Sequence, residues 1–200
     1  MKSREQTESK ILEAVASIVE SDGFEKLGIN TIALKANVSK MLIYRYFGGL
    51  EELVARFIMQ KDYWANTDTL ILNPHSVGDS IKSMFRNQIE QLRNDVTLRR
   101  LCRWELSCHN ASIDRLRDKR EENGCNLIKV VSRLTGSSNS EVASLASILS
   151  ASISYLTLIE DRCPTYNGIA LQTDKGWEQI AQGVDMIVDL WIKSIHERKN

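Results

Sequence analysis

Between Lys26 and Leu50 the chain carries Lys26, Lys35, Lys40 and Arg45 and neither Asp nor Glu, although its 26 basic and 26 acidic side chains balance overall. Side chains of this type and density suit a phosphate backbone, because Lys and Arg displace condensed counterions and a helix amino terminus adds free amides. On charge alone the plainer alternative is a solvated basic turn. Zero net charge means that any anionic partner must be held by such a local patch and not by the field of the whole molecule.

Other chemistry has little support. Cys102, Cys108, Cys125 and Cys163 show no C-x-x-C spacing, and His75, His109 and His196 are scattered, so neither a metal site nor a cofactor is expected. Cys108 beside His109 could pair a thiol with a base, but neighbours on a helix point about 100° apart and would not meet. With no clustered acid, base or nucleophile, no catalytic residue is assigned and the chain is not expected to be an enzyme. The arginines at 93, 99, 100, 103, 115, 117 and 120, near Trp104 and Glu105, could hold an acidic ligand by a bidentate contact. The simpler reading is a solvated face paired with Asp114, Asp118, Glu121 and Glu122.

Helices must position the basic segment. Two prolines in 200 residues, 42% apolar and 26% charged residues, and apolar side chains recurring every three or four positions predict an all-α chain. The first helix spans about 5–21 on Ile11, Val15 and Ile18, and Gly23 stops it. Gly28 caps a second, ending at Asn37, whose side chain tolerates a left-handed backbone. Ser39 caps a third through its hydroxyl, and that helix ends near Tyr46 or Phe47 ahead of Gly48-Gly49. A fourth runs from about Leu50 past Trp64. At about 100° per residue, Ile43, Tyr46 and Phe47 share one side of the third helix with Ser39, and Met41 and Arg45 lie opposite, flanked by Lys40 and Tyr44. Two short helices joined by a tight turn form a helix-turn-helix, whose second helix can enter the DNA major groove.

The remainder reads as a larger helical unit. A helix opens at Asn73-Pro74 and carries Ile81, Met84, Phe85, Ile89 and Leu92. Helices follow at about 95–108 and 112–135. A capping box of Ser138 and Glu141 opens another at about 140–161, apolar on most faces and therefore expected to be buried on most faces. A loop from Cys163 to Gly168 precedes a last helix from about 174 to 197, with Trp177, Ile180, Val184, Ile187, Trp191 and Ile195 along one stripe. No unbroken apolar run reaches the roughly 18 residues of a bilayer span, and the start MKSREQTESK is too polar for a signal peptide, so a cytoplasmic protein with no membrane association is expected.

The segments Gly23-Phe24, Ile32-Ala33, Ala36-Asn37-Val38-Ser39, Ile43-Tyr44-Arg45-Tyr46-Phe47 and Glu51-Glu52-Leu53 resemble, in order and spacing, the amino-terminal DNA-binding domain of the tetracycline-repressor (TetR) family of bacterial transcription regulators. The resemblance covers about the first quarter of the chain. It implies a three-helix helix-turn-helix domain over residues 1–48 and a larger helical ligand-binding and dimerisation domain over 49–200, joined by the helix from about 50. It also implies a ligand-responsive regulator, more often a repressor, that binds a near-palindromic double-stranded DNA operator as a homodimer. The last two helices, about 140–161 and 174–197, would form the dimer, and a small-molecule effector of unidentified structure would act on the larger domain. The DNA-contacting residues are taken as Asn30, Ser39, Lys40, Met41, Leu42, Tyr44 and Arg45. Trp104, Met84, Phe85, Tyr155 and Leu156 are candidate neighbours of an effector pocket, and none is assigned to it. Departures from the family pattern at Gly28, Met41, Leu42 and Leu50 remove familiar hydroxyl, ammonium or glycine positions. They leave open a helical dimeric adaptor that kept the fold and lost specific DNA reading.

Overall fold

The computed structural model describes residues 4–62, 76–107 and 111–199. They are almost wholly helical: α1 (Arg4–Asp22), α2 (Ile29–Ala36), α3 (Lys40–Phe47), α4 (Leu50–Lys61), α5 (Val77–Asn94), α6 (Val96–Ser107), α7 (Ala111–Thr135), α8 (Asn139–Ile159) and α9 (Asp174–Lys199). The all-α class therefore holds. Trp64, the Asn73-Pro74 helix start, His75 and the Cys108-His109 pair lie outside the described residues.

The chain packs as two units, one of Met1–Asn66 with Asp95–Arg120 and one of Thr67–Asn94 with Glu121–Asn200. These are partitions by packing, whereas the division at residue 48 is one of expected role. In the first unit, α1 buries Ile11, Ala14, Val15, Ile18 and Val19, and α4 buries Leu53, Val54, Phe57 and Ile58. A single 3₁₀ turn over Phe24–Lys26, too short to leave a periodic signal, carries Phe24 into this core. The Phe24 ring stacks on Trp104 with centroids 4.6 Å apart and tilts against Phe57 at 6.4 Å. Trp104 is thus packed against the Phe24 turn in this unit.

The arginine-rich stretch splits by role. Arg100 donates to the Val19 carbonyl at 2.8 Å, near the end of α1. Arg120 of α7 donates to Asp62, which is 2% exposed at the end of α4, and to Glu105 of α6 at 2.6 Å. Arg117 donates to the Glu105 carbonyl at 2.9 Å. These cations tie four helices together, so the reading of the stretch as a solvated face with near-neighbour pairs fails at positions 100 and 120, whereas Arg117 also keeps its near neighbour Asp114 at 3.8 Å. Cys102 lies beside this cluster, and burial pushes its thiol up to about 12.

In the second unit α5 packs on both α8 and α9. Ile81, Met84, Phe85, Ile89 and Leu92 are buried, and so is Gln88, whose Nε2 donates to Ser150 Oγ at 3.1 Å. Ion pairs rim the α5–α9 contact: Lys82 with Asp189 at 2.8 Å, Arg86 with Asp185 at 2.7 Å and with Glu178 at 3.0 Å, Arg93 with Asp174 at 2.9 Å; Arg93 also reaches Glu160 at the end of α8 at 3.2 Å. The α9 stripe is inward at Trp177, Ala181, Val184, Val188 and Ile195, while Ile187 is exposed.

Three sequence expectations are corrected here. The Cys163–Gly168 loop contains the start of a two-stranded hairpin, β1 (Thr165–Tyr166) antiparallel to β2 (Ile169–Ala170), turned by Asn167 and Gly168 at positive φ. The capping box at α8 is half formed: Ser138 accepts from the Glu141 amide at 3.2 Å, but the Glu141 carboxylate turns to Trp191 Nε1 at 2.9 Å and to Arg198. Finally, α8 is not buried on most faces. Val142, Leu149, Ile153 and Thr157 point inward, whereas Ile148 is 68% and Tyr155 54% exposed. Serines interrupt the apolar run of α8 in sequence, yet the whole helix is long and apolar enough to cross a bilayer by length and composition.

Candidate nucleic-acid interface

The α2–turn–α3 segment is set by its backbone. Asn37 takes a left-handed conformation at φ 50°, its amide bonding back to α2 carbonyls, and Val38 and Ser39 lead into α3. Val38 donates to the Ala33 carbonyl at 3.0 Å, closing the turn. Gly48 at φ 86° ends α3, donating to the Tyr44 carbonyl at 2.9 Å, a conformation glycine adopts without steric cost.

Burial divides α3 lengthwise, as its angular pattern predicts. Ile43 is fully buried and Phe47 is 7% exposed, whereas Met41 is 77% and Tyr44 54% exposed. Lys40 and Arg45 are exposed and Leu42 is half-buried at the edge of the outer face. Tyr46, expected inside, is half-buried. Ser39 stands at the amino-terminal cap position but its side chain makes no capping bond, so the expected hydroxyl-to-amide contact is absent. The Leu42 amide bonds back to the Ser39 carbonyl at 3.0 Å, and the exposed hydroxyl lies at the same helix end as the Lys40 and Met41 amides. Asn30 is exposed in the first turn of α2, two residues beyond Gly28, which caps that helix with extended backbone and no side-chain bond.

The structure thus brings together on one outward surface Lys40, Met41, Tyr44 and Arg45, with Leu42 at its margin and Ser39 at its end. It adds residues that the angular reading of α3 passed over. Leu34 on α2 is 85% exposed, an apolar side chain directed outward from the helix that precedes the turn. Arg4 of α1 lies over the Tyr46 ring, 5.4 Å from its centroid, and Arg56 of α4 lies over Phe47 at 5.5 Å. The spacing of Arg4 and Glu8 suggests an ion pair on one helix, but nothing in the sequence brings α1 and α4 to the same end of α3. Among the described residues no group of three or more His, Cys, Asp or Glu side chains is placed to hold a metal ion.

Chemically, this surface offers two cations, a phenol, a thioether and a helix amino terminus with no carboxylate on α2 or α3. It fits a groove edged with phosphates and floored with base edges and thymine methyls.

Residues 11–57 match the family described as bacterial regulatory proteins, tetR family. No curated protein matches the chain. Among solved structures, it is similar to a tetR-family transcriptional regulator from Streptomyces coelicolor, with 14% identity over 99% of this chain and 89% of that one and a TM-score of 0.63. A TetR-like transcriptional regulator from Rhodococcus sp. RHA1 shares 18% identity over 100% and 98%, TM-score 0.58. The hemolysin II transcriptional regulator HlyIIR shares 18% over 96% and 98%, TM-score 0.54. At these identities the likeness is one of fold, and it extends well beyond the segment that the family model covers.

Proposed function

We propose that this chain, whose residues 11–57 are a tetR-family amino-terminal domain on a fold shared with regulators of that family, is a ligand-responsive transcription regulator, acting as a repressor on a near-palindromic operator. The observation that carries the reading is the division of α3: Ile43 and Phe47 anchor it while Lys40, Met41, Tyr44 and Arg45 face outward from a segment free of acidic side chains. In this reading α3 enters the major groove. Arg45 reads guanine, Lys40 and the α3 amino terminus with Ser39 hold phosphate, and Met41 with Leu42 lies against thymine methyls. Asn30 and Tyr44 complete the backbone contacts. Residues 1–48 form the reading head and 49–200 the effector and dimerisation domain, with α4 between them.

A homodimer is supported by what α8 and α9 leave uncovered. Ile148 and Tyr155 on α8 and Met186, Ile187 and Leu190 on α9 are exposed, in two helices joined by the Trp191–Glu141 contact. A second copy using the same patch would cover both rows and supply the second head. A cytoplasmic location follows from a DNA target. A small molecule that binds better to the arrangement of heads unable to span two half-sites would release DNA in proportion to that preference.

Selection from a random duplex pool, followed by gel shift at two salt concentrations, tests the central claim. The expected result is one enriched, near-palindromic sequence bound with steep salt dependence. Absence of salt-dependent binding to any duplex overturns it and favours the adaptor reading.

A further inference from the structure

Glu8 is a carboxylate on the inward side of α1, only 8% exposed, with two arginines on it. Arg4 Nε donates to it at 2.6 Å from one turn earlier on α1, and Arg56 Nη2 reaches it at 3.0 Å from α4. Each guanidinium also covers an aromatic ring of α3. Arg4 lies 5.4 Å from the centroid of Tyr46, and Arg56 lies 5.5 Å from that of Phe47. One buried anion thus holds two planar cations against two consecutive residues in the last turn of the helix that carries Lys40, Met41 and Arg45. The carboxyl of Glu8 is held below the usual carboxylate range, first by the Arg4 hydrogen bond and also by the charge of Arg56. The groove along this side of α1 and α4 places Glu5, Glu13, Gln60 and Lys61 around it.

We propose that Glu8 is a positioning residue for DNA reading: through Arg4 on Tyr46 and Arg56 on Phe47 it fixes the rotation of α3 on α1 and α4, and so sets sequence discrimination without touching DNA. The inference rests on the DNA-reading function above. Base readout through bidentate contacts tolerates displacements of only about 0.5 Å, so a helix of eight residues needs supports beyond Ile43 and Phe47. A guanidinium clamped by a carboxylate keeps its plane over a ring, whereas a released one is drawn into water.

A rival role for the same residues gives the opposite sign. Arg4 has a side chain 67% exposed and could bind phosphate directly. In that case Glu8 competes with DNA for Arg4, and removing its charge would strengthen binding to every duplex.

The test compares the full chain with Glu8→Gln, Arg56→Lys and Arg4→Met on a duplex selected by the wild-type protein and on an unrelated duplex of equal length. Glu8→Gln is expected to lower the ratio of selected to unrelated binding by about 10-fold, with unrelated binding changed by less than about 2-fold and the salt slope unaltered. Arg56→Lys keeps the charge opposite Glu8 but loses the plane over Phe47, and is expected to shift the ratio the same way. It decides the matter if Glu8→Gln fails to fold by circular dichroism. An unchanged ratio in the folded variants overturns the proposal. So does tighter binding of Glu8→Gln to both duplexes together with a salt slope reduced by about one in Arg4→Met, which assigns Arg4 to phosphate. If the wild-type chain selects no duplex, the DNA-reading function falls and takes this role with it. If it selects one and the variants behave as wild type, only the role of Glu8 falls.

Discussion

Met41 carries the sharpest claim at the scale of single residues. An isolated exposed methionine is ordinary on a protein surface. Here it stands on the outer face of a helix whose other exposed side chains are Lys40, Tyr44 and Arg45, where hydrogen-bonding groups would serve solvent better. Replacing operator thymines by uracil one at a time should weaken binding by about 2- to 5-fold at one position per half-site, and Met41→Ala should abolish that difference. Arg45→Ala should cost about 10-fold or more on the selected operator and relax its sequence preference at one base pair, whereas Lys40→Ala should weaken all duplexes alike and reduce the salt slope by about one. Electrophoretic titration at several salt concentrations separates the two. The rotation that places these residues outward was readable from their spacing. What spacing did not reveal is that the Ser39 hydroxyl makes no cap bond, because the choice between capping and facing out depends on a rotamer, which residue order does not encode.

Among the elements, the hairpin between α8 and α9 is the one whose precise placement depends on a single atom's absence. A Cβ on Gly176 would sit 2.0 Å from the Ala170 carbonyl oxygen, so the first turn of α9 accepts only glycine while β2 lies where it does. Thr173 locks the same corner, its hydroxyl donating to the Ala170 carbonyl at 2.9 Å and accepting from the Gly176 amide at 3.0 Å. Leu171, fully buried, pins the hairpin from below. Gly176→Ala should therefore cost about 1–3 kcal/mol, read as a lower denaturant midpoint at unchanged slope. Composition marked this segment as a loop, and Asn167-Gly168 is a recognisable hairpin turn in retrospect. Strands of two residues give no alternating pattern, so only the backbone bonds define them. By contrast the apolar face of α5 was legible, since its five apolar positions are all inward. The addition of Gln88 to that buried face was not, because a polar residue is buried only when partners such as Ser150 lie opposite.

For the molecule as a whole, the consequence of α8 is the most direct. A helix carrying Ile148, Ala151 and Tyr155 outward beside a helix carrying Met186, Ile187 and Leu190 outward presents an apolar surface that water does not stabilise. If a second copy covers it, Met186→Glu combined with Leu190→Glu should yield a monomer by sedimentation velocity. Operator binding should then fall by about 100-fold, because each head would lose the effective concentration supplied by its partner. A variant that stays dimeric would move the interface elsewhere.

The sequence by itself determined the helical class, the placement of the helix-turn-helix within the first 48 residues, and the division of α3 into an anchored and an outward side, all properties of local spacing. Helical period and turn chemistry act over a few residues, so they are written in residue order. Only the tertiary structure decided which arginines are internal ties, that Trp104 stacks on Phe24, that α8 is half uncovered, and that Glu8 and Arg56 meet at the end of α3. Each of those depends on side chains tens of residues apart reaching the same few ångströms, and the energy of such a contact belongs to the pair and its burial, a quantity that neither residue carries alone.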